Sequence, residues 1–220
     1  MKTQIHIASL ALLALLCLTL AALPASADTL YDNGPVNGEV GAWQINGGFA
    51  VSNSYHTSGS GGSDLTVTGF AFAVWELPGD TLTSVDWVVS TGPCSGPGGC
   101  GTILGSGTLS GANLTDTFIF SNQYGYNIDA VAGATTVNNS KSNHFYYLTL
   151  SNSVVPSGDP VYWDENSGPS TAYDNTLGSI PSEAFTILGT SGTAPEPTSI
   201  MLFGSGILGL AGVLRRRLMG

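Results

Sequence analysis

A short acidic segment offers the clearest set of side chains for cation chemistry. The run Asp164-Glu165-Asn166 follows Trp163 and offers oxygen ligands at alternate positions, which is the ligand type that calcium takes from proteins. The run departs from the EF-hand pattern, because Gly168 stands where a third ligand would fall and no glutamate closes the loop. Two interpretations stay open, a calcium loop and an acidic turn after an edge strand, and these departures favour the turn.

The same carboxylates do not form a glycosidase pair by themselves. Neighbouring side chains on an extended chain face opposite ways, so Asp164 and Glu165 would each need a partner carboxylate from another strand. We therefore predict a protein without enzymatic activity and without a cofactor, with calcium as the one ion to consider. The alternative is a carbohydrate-active enzyme on a jelly-roll scaffold, with carboxylates that converge from separate strands.

Two tryptophans are candidates for stacking on sugar rings. Trp43 and Trp163 lie beside turns, and an aromatic ring at a surface offers an apolar face with a polar edge. Trp75 and Trp87 lie within apolar runs and are predicted to be core residues. Core packing is also the favoured alternative for Trp43 and Trp163.

The N-terminus has the three parts of a secretory signal. Lys2 precedes the apolar run 7–20, and Ala25 and Ala27 supply small residues at the two positions that a signal peptidase reads. Residues 1–27 are therefore predicted to be a signal peptide that the secretion machinery recognises and signal peptidase removes after Ala27.

Two cysteines remain after that cleavage. Cys94 and Cys100 bracket five residues rich in glycine, and disulfides persist in exported proteins. A redox or metal pair would need closer spacing and further ligands. We predict a disulfide that closes a hairpin loop.

The C-terminus combines a proline-rich signature, an apolar stretch and a basic cluster. Pro195, Glu196 and Pro197 precede the uncharged run 200–214, and Arg215, Arg216 and Arg217 follow it. Arginines after an apolar stretch indicate a cytoplasmic end. We predict a short transmembrane helix at about 198–214 that anchors the chain in the inner membrane.

This order of parts resembles the PEP-CTERM sorting tail, here residues 195–220. The resemblance implies export in a Gram-negative bacterium that makes extracellular polysaccharide, recognition by exosortase, processing near Pro195 to Pro197, and release or attachment at the cell surface. The same tail is also described as an ice-binding protein C-terminal domain, a name that refers to the tail and not to the ectodomain.

Charge is distributed unevenly along the chain. Of 5 Lys+Arg and 15 Asp+Glu, only Lys141 and 14 acids lie within 28–194, so this ectodomain carries a formal charge of −13. Nucleic-acid binding needs a basic surface that displaces phosphate counterions, and this segment has none. A surface of one sign favours solubility and attracts divalent cations.

Alternation with a period of two residues predicts the fold. In Thr83 to Ser90 the side chains of Val85, Trp87 and Val89 share one face, and Asp129 falls on the polar face of another alternating run. About ten such strands, separated by Gly, Asn, Ser and Pro, indicate an all-β antiparallel two-sheet β-sandwich of jelly-roll kind. The repeat of about 20 residues expected of a β-helix is not found. A parity change around Gly69 predicts a bulge or a strand that is covered on both faces.

Three parts of the ectodomain are similar to a recurrent ectodomain of PEP-CTERM proteins. They are residues 30–35, residues 78–87, and residues 161–169 followed by 180–185. This resemblance implies a sandwich and supplies no activity. We therefore expect an exported cell-surface or extracellular-matrix protein that associates with exopolysaccharide and has the capacity to bind glycan.

Overall fold

The computed structural model of the chain describes residues 27–58, 62–94 and 99–191. Most of the predicted signal peptide, including Ala25, and the whole predicted tail lie outside this part of the chain. Ala27 is described and is exposed immediately before the first strand. Within the described ranges, the structure contains no helix that is long and apolar enough to cross a membrane.

The described part of the chain is all-β, as the alternation predicts. Apart from one 3-10 turn, Gly111–Asn113, its regular elements are thirteen strands: β1 Asp28–Asp32, β2 Ala42–Gln44, β3 Ala50–His56, β4 Asp64–Glu76, β5 Ser84–Ser90, β6 Ile103–Ser110, β7 Leu114–Ser121, β8 Asn127–Lys141, β9 Phe145–Val154, β10 Tyr162–Asp164, β11 Ala172–Asp174, β12 Gly178–Ile180 and β13 Phe185–Ser191.

The strands form two antiparallel sheets. In the first sheet, β4 pairs with β8 along one edge and with β13 and then β10 along the other. Strands β1, β2 and β7 extend this sheet beyond β13, β10 and β8. The second sheet has the order β12-β11-β3-β9-β5-β6. The set β1-β13-β4-β8 opposite β3-β9-β5-β6 has the strand order of a jelly roll.

The core lies between the two sheets. Val85, Trp87 and Val89 of the second sheet are buried, as their alternation predicts, and Phe70 of the first sheet meets Trp87 at 5.4 Å between ring centroids. Burying one large apolar side chain contributes about 1.5–3 kcal/mol. Because each sheet turns an apolar face towards the other, neither would be stable alone.

Trp163 packs in the core, which is the alternative that the sequence favoured over stacking on a sugar. This residue is 0% exposed, its indole Nε1 donates to the carbonyl oxygen of Ala184 at 3.0 Å, and its ring packs against Phe185 at 5.7 Å. A side chain enclosed in this way has no face for a sugar ring, so Trp163 is a core residue.

The predicted irregularity at Gly69 is present. The register between β4 and β8 shifts twice, between Leu65 and Val67 and between Val67 and Gly69. A Cβ atom at Gly69 would lie 2.6 Å from the carbonyl oxygen of Gly133. The close approach of β8 therefore requires glycine at this position.

The predicted disulfide is also present. Cys94 and Cys100 are bonded in the connection between β5 and β6. The backbone N–H of Cys94 donates to the Ser52 hydroxyl at 2.9 Å, which fixes this end of the connection to β3 in the same sheet.

Candidate functional site

Asp164 is buried and holds the connection between β1 and β2. Its Oδ1 accepts from the indole of Trp75 at 2.6 Å and from the backbone N–H of Gly38 at 3.1 Å, and its Oδ2 accepts from the N–H of Asn37 at 3.2 Å. Burial raises the pKa of this carboxyl, and the three donors oppose that shift. Strand β10 pairs with both β2 and β4, so the segment does not follow an edge strand, contrary to the prediction.

Asn166 is buried in the same region, and its side chain is fully engaged. Its Oδ1 accepts from the N–H of Gly168 at 3.0 Å and from the Ser182 hydroxyl at 3.1 Å, while its amide donates to the carbonyl of Asn33 at 2.9 Å. A Cβ atom at Gly168 would collide with that same carbonyl. Glycine at 168 is thus explained by close packing.

Glu165 is directed away from the partners of Asp164. Its Oε2 accepts from the indole Nε1 of Trp43 at 3.1 Å, and both side chains are half-buried. The two neighbouring carboxylates therefore have separate partners, as the extended backbone predicts. A cation at 164–166 would have to displace several N–H donors, which favours the acidic-turn interpretation.

Three segments meet around this turn. Asn33 belongs to the first stretch that resembles the recurrent ectodomain, Asn166 to the third, and Ser182 to the stretch that follows it. An open cavity of about 470 Å³ lies beside them, lined by residues 32–35, 37 and 166–169. The hydrogen bonds give these segments a shared structural role.

Glu183 is a second buried carboxyl near the turn. It is 0% exposed, neither carboxylate oxygen has a hydrogen-bond partner, and its backbone bridges to Glu165. Burial raises the pKa of Glu183 well above its ordinary value, with the charges of Glu165 and Asp164 adding to the effect.

Three further carboxylates converge on the inner face of the first sheet, and we call them the acid trio. They are Glu76 at the end of β4, Asp116 on β7 and Asp129 on β8, and each offers an oxygen within 4.8 Å of the others. The register explains the convergence, since Asp129 pairs with Val74 and Asp116 with Val131, both of which face the core.

The acid trio has few hydrogen-bond donors. Glu76 is 0% exposed with both oxygens unpartnered, and one oxygen each of Asp129 and Asp116 is also unpartnered. The other oxygen of Asp116 accepts from the N–H of Leu82 at 2.7 Å. Burial, followed by the charges of Asp116, Asp129 and Asp80, raises the pKa of Glu76 to about 8. Burial and then Asp116 raise the pKa of Asp129 to about 6.

Sequence reasoning missed the acid trio and placed Asp129 on the wrong face. The alternation there puts Ile128 inward, but Ile128 is buried on the outer face, where the connection between β1 and β2 covers it near Gly38 and Phe120. Asp129 therefore points into the sandwich. One sequence feature does indicate a buried carboxylate here, because Glu76 stands at the end of the long apolar run of β4.

The outer face of the first sheet carries a shallow groove of about 610 Å³. Residues 34–36 form one side of it. Its floor consists of small side chains from four neighbouring strands, namely Ala71, Thr115, Thr117, Ala130, Ala132 and Thr186. The floor thus combines three threonines with three alanines, and these small side chains leave open space above the strands.

Comparison with known proteins identifies the tail. No curated protein matches the chain. The family model described as the PEP-CTERM protein-sorting motif matches residues 193–217, a range that includes Pro195, Glu196, Pro197 and Arg215 to Arg217. The predicted sorting tail is thus confirmed. The chain carries a PEP-CTERM protein-sorting motif, which marks it as an exported bacterial protein whose membrane-anchored precursor is processed by exosortase.

Proposed function

We propose that the chain is a cell-surface or extracellular-matrix protein without enzymatic activity, and that it associates with exopolysaccharide after sorting in a Gram-negative bacterium. The sorting motif carries this proposal. It begins at residue 193, two residues after β13 ends at Ser191, so the motif follows the sandwich directly. In this proposal the tail directs the β-sandwich to the cell envelope.

The groove on the outer face of the first sheet is the best candidate for contact with a glycan. Hydroxyls of Thr115, Thr117 and Thr186 line it, and hydroxyl groups both donate and accept hydrogen bonds. Tyr124 offers a second feature, because it is 56% exposed and stacks on Trp75 at 5.7 Å between ring centroids. An exposed ring held in place by another ring is suited to stacking on a sugar.

The sorting part is tested in the native host by cell fractionation. We expect Glu196→Gln, or replacement of Arg215 to Arg217 by glutamine, to leave an anchored precursor in the membrane fraction. The matched control is Glu39→Gln, which removes an exposed carboxylate from the sandwich and should be sorted normally. Unchanged release of the tail variants would refute the proposed sorting route.

The glycan part is tested by retention of the full-length chain on the host's own exopolysaccharide. Thr117→Lys places a long side chain in the groove and should reduce retention at least tenfold. Thr108→Lys makes the same change on the exposed edge strand β6 of the other sheet and should have no effect. Equal retention of both variants would show that the groove is not the contact surface.

A carbohydrate-active enzyme remains the second candidate, and one observation favours it. Carboxylates from β4, β7 and β8 do converge, as this alternative requires, and burial raises the pKa of all three. Their burial argues for the non-enzymatic proposal, because Glu76 is 0% exposed and Asp129 5% exposed. Release of reducing ends from the exopolysaccharide, abolished by Glu76→Gln, would establish the enzyme instead.

A further inference from the structure

The acid trio lacks a compensating positive charge among the described residues. Lys141 is the only lysine or arginine there, and it pairs with Asp64. Burying an ionised carboxylate that has no ion partner and few donors costs free energy. Such groups therefore bind a proton or coordinate a metal. By contrast, the buried Asp164 accepts from three donors.

We propose that Glu76, Asp116 and Asp129 form a calcium site inside the sandwich. Four oxygens of these residues have no hydrogen-bond partner, namely both of Glu76 and one each of Asp116 and Asp129. A bidentate glutamate with two monodentate aspartates is a common part of calcium coordination, and water completes the usual six to eight ligands. Asp116 is only half-buried, so the trio lies closest to solvent at this residue.

The ligand chemistry favours calcium. An all-oxygen, carboxylate-rich site selects hard cations. Calcium accepts six to eight oxygens in flexible geometry, including bidentate carboxylates, whereas magnesium demands a near-ideal octahedron and keeps several of its waters. One oxygen of each residue in the trio lies within 4.8 Å of the others, close enough for the three residues to share one ion.

The burial of Glu76 is an observation independent of the clustering. Its side chain is 0% exposed, both of its oxygens are unpartnered, and one of them is directed at the two aspartates. The fold thus encloses a carboxylate in an apolar sandwich and supplies no donor to it. A bound cation would be that partner. Its positive charge would also offset the repulsion among the three carboxylates.

A bound ion would hold β7, the strand at one edge of the first sheet, to the strands inside it. Strand β7 pairs only with β8 among the described strands, and a shared ion would connect it to β4 as well. Asp116 also accepts from Leu82 in the connection between β4 and β5. We therefore assign the ion a structural role that is independent of sorting and of any glycan contact.

The experiment measures thermal unfolding and calcium titration of the full-length chain in detergent at neutral pH, after treatment with a chelator. Extracellular calcium modules bind with dissociation constants of about 10⁻⁴–10⁻³ M. At a hundredfold excess over such a constant, we expect the melting temperature to rise by roughly 5–10 °C. Absence of any shift would overturn the proposal, and an equal or larger shift with magnesium would overturn the choice of calcium.

Variants locate the site. Glu76→Gln and Asp129→Asn should abolish the calcium-induced shift, and Asp116→Asn, which changes the half-exposed member and is the safest for folding, should weaken calcium binding at least tenfold. Glu183→Gln is the matched control, since Glu183 is also 0% exposed and unpartnered, and it should retain the full shift. A shift that survives in Asp116→Asn but disappears in Glu165→Gln would move the ion to the 164–166 turn and refute the assignment.

Discussion

Individual buried carboxyls are accommodated in two different ways. Asp164 and Asp174 have backbone or side-chain donors, including the N–H of Leu177 at 2.9 Å from Asp174. Glu76 and Glu183 have none. A carboxylate with several donors can stay ionised when buried, whereas one without donors favours its neutral form. The second group therefore makes the stability of the fold depend on pH.

Glu183→Gln tests this dependence. The folded-state pKa of Glu183 is raised above its unfolded value, so the native state binds the proton more tightly. Stability from this group is present below the unfolded pKa of about 4.3 and is lost as pH rises toward the folded pKa. Glutamine cannot ionise, so the variant should be more stable than the native chain at pH about 8 but not at pH about 4.

Urea unfolding at both pH values provides the measurement. Asp28→Asn, at the exposed start of β1, serves as the control and should show no such gain. A Glu183→Gln variant that loses stability equally at both pH values would show that the carboxylate is ionised and has a partner.

Elements differ in how far their sequences reveal them. The strand at Ser84–Ser90 follows from alternation because it has one buried face and one face closer to solvent. Alternation gives the wrong inner face for the strand at Asn127–Lys141, because Ile128 and Asp129 are both buried, one on each face. The burial of Ile128 depends on a connection more than 80 residues earlier in the chain, which local periodicity cannot report.

Among the elements, the connection between β1 and β2 should depend on Asp164 for its position. Asp164→Ala leaves the indole N–H of Trp75 and the backbone N–H groups of Asn37 and Gly38 without their acceptor. Because hydrogen bonds to a charged group contribute about 1.5–3 kcal/mol each and are not additive, we expect a loss of about 3 kcal/mol in urea unfolding. Asp164→Asn keeps one acceptor oxygen and should lose less. Equal stability of both variants and the native chain would contradict this anchoring role.

The disulfide should have a smaller effect than Asp164. Cys94 and Cys100 are six residues apart, and the entropic gain from closing so short a loop is about 2 kcal/mol. The double variant Cys94→Ser/Cys100→Ser should therefore fold and unfold at a slightly lower urea concentration. Reduction of the native chain should reproduce the shift, while a failure to fold would show that the bond does more than order its own loop.

The whole molecule is less acidic at its surface than its composition suggests. Of 14 acidic residues within 28–194, five are buried, namely Glu76, Asp129, Asp164, Asp174 and Glu183. Sequence reasoning treats the formal −13 as surface charge that favours solubility, but part of it serves hydrogen bonding and, in our proposal, cation binding. The sequence predicts the sandwich and the sorting tail because both depend on local patterns. It does not reveal the acid trio, because that site depends on strand register.

The central claim is that the sandwich is exported and sorted by its tail, and mass spectrometry of the chain from the surface fraction of the native host tests it most directly. We predict a polypeptide that begins at Asp28 and ends near Pro195 to Pro197, with Arg215 to Arg217 absent. A surface-exposed chain that still carries Arg217, in cells that contain active exosortase, would contradict it.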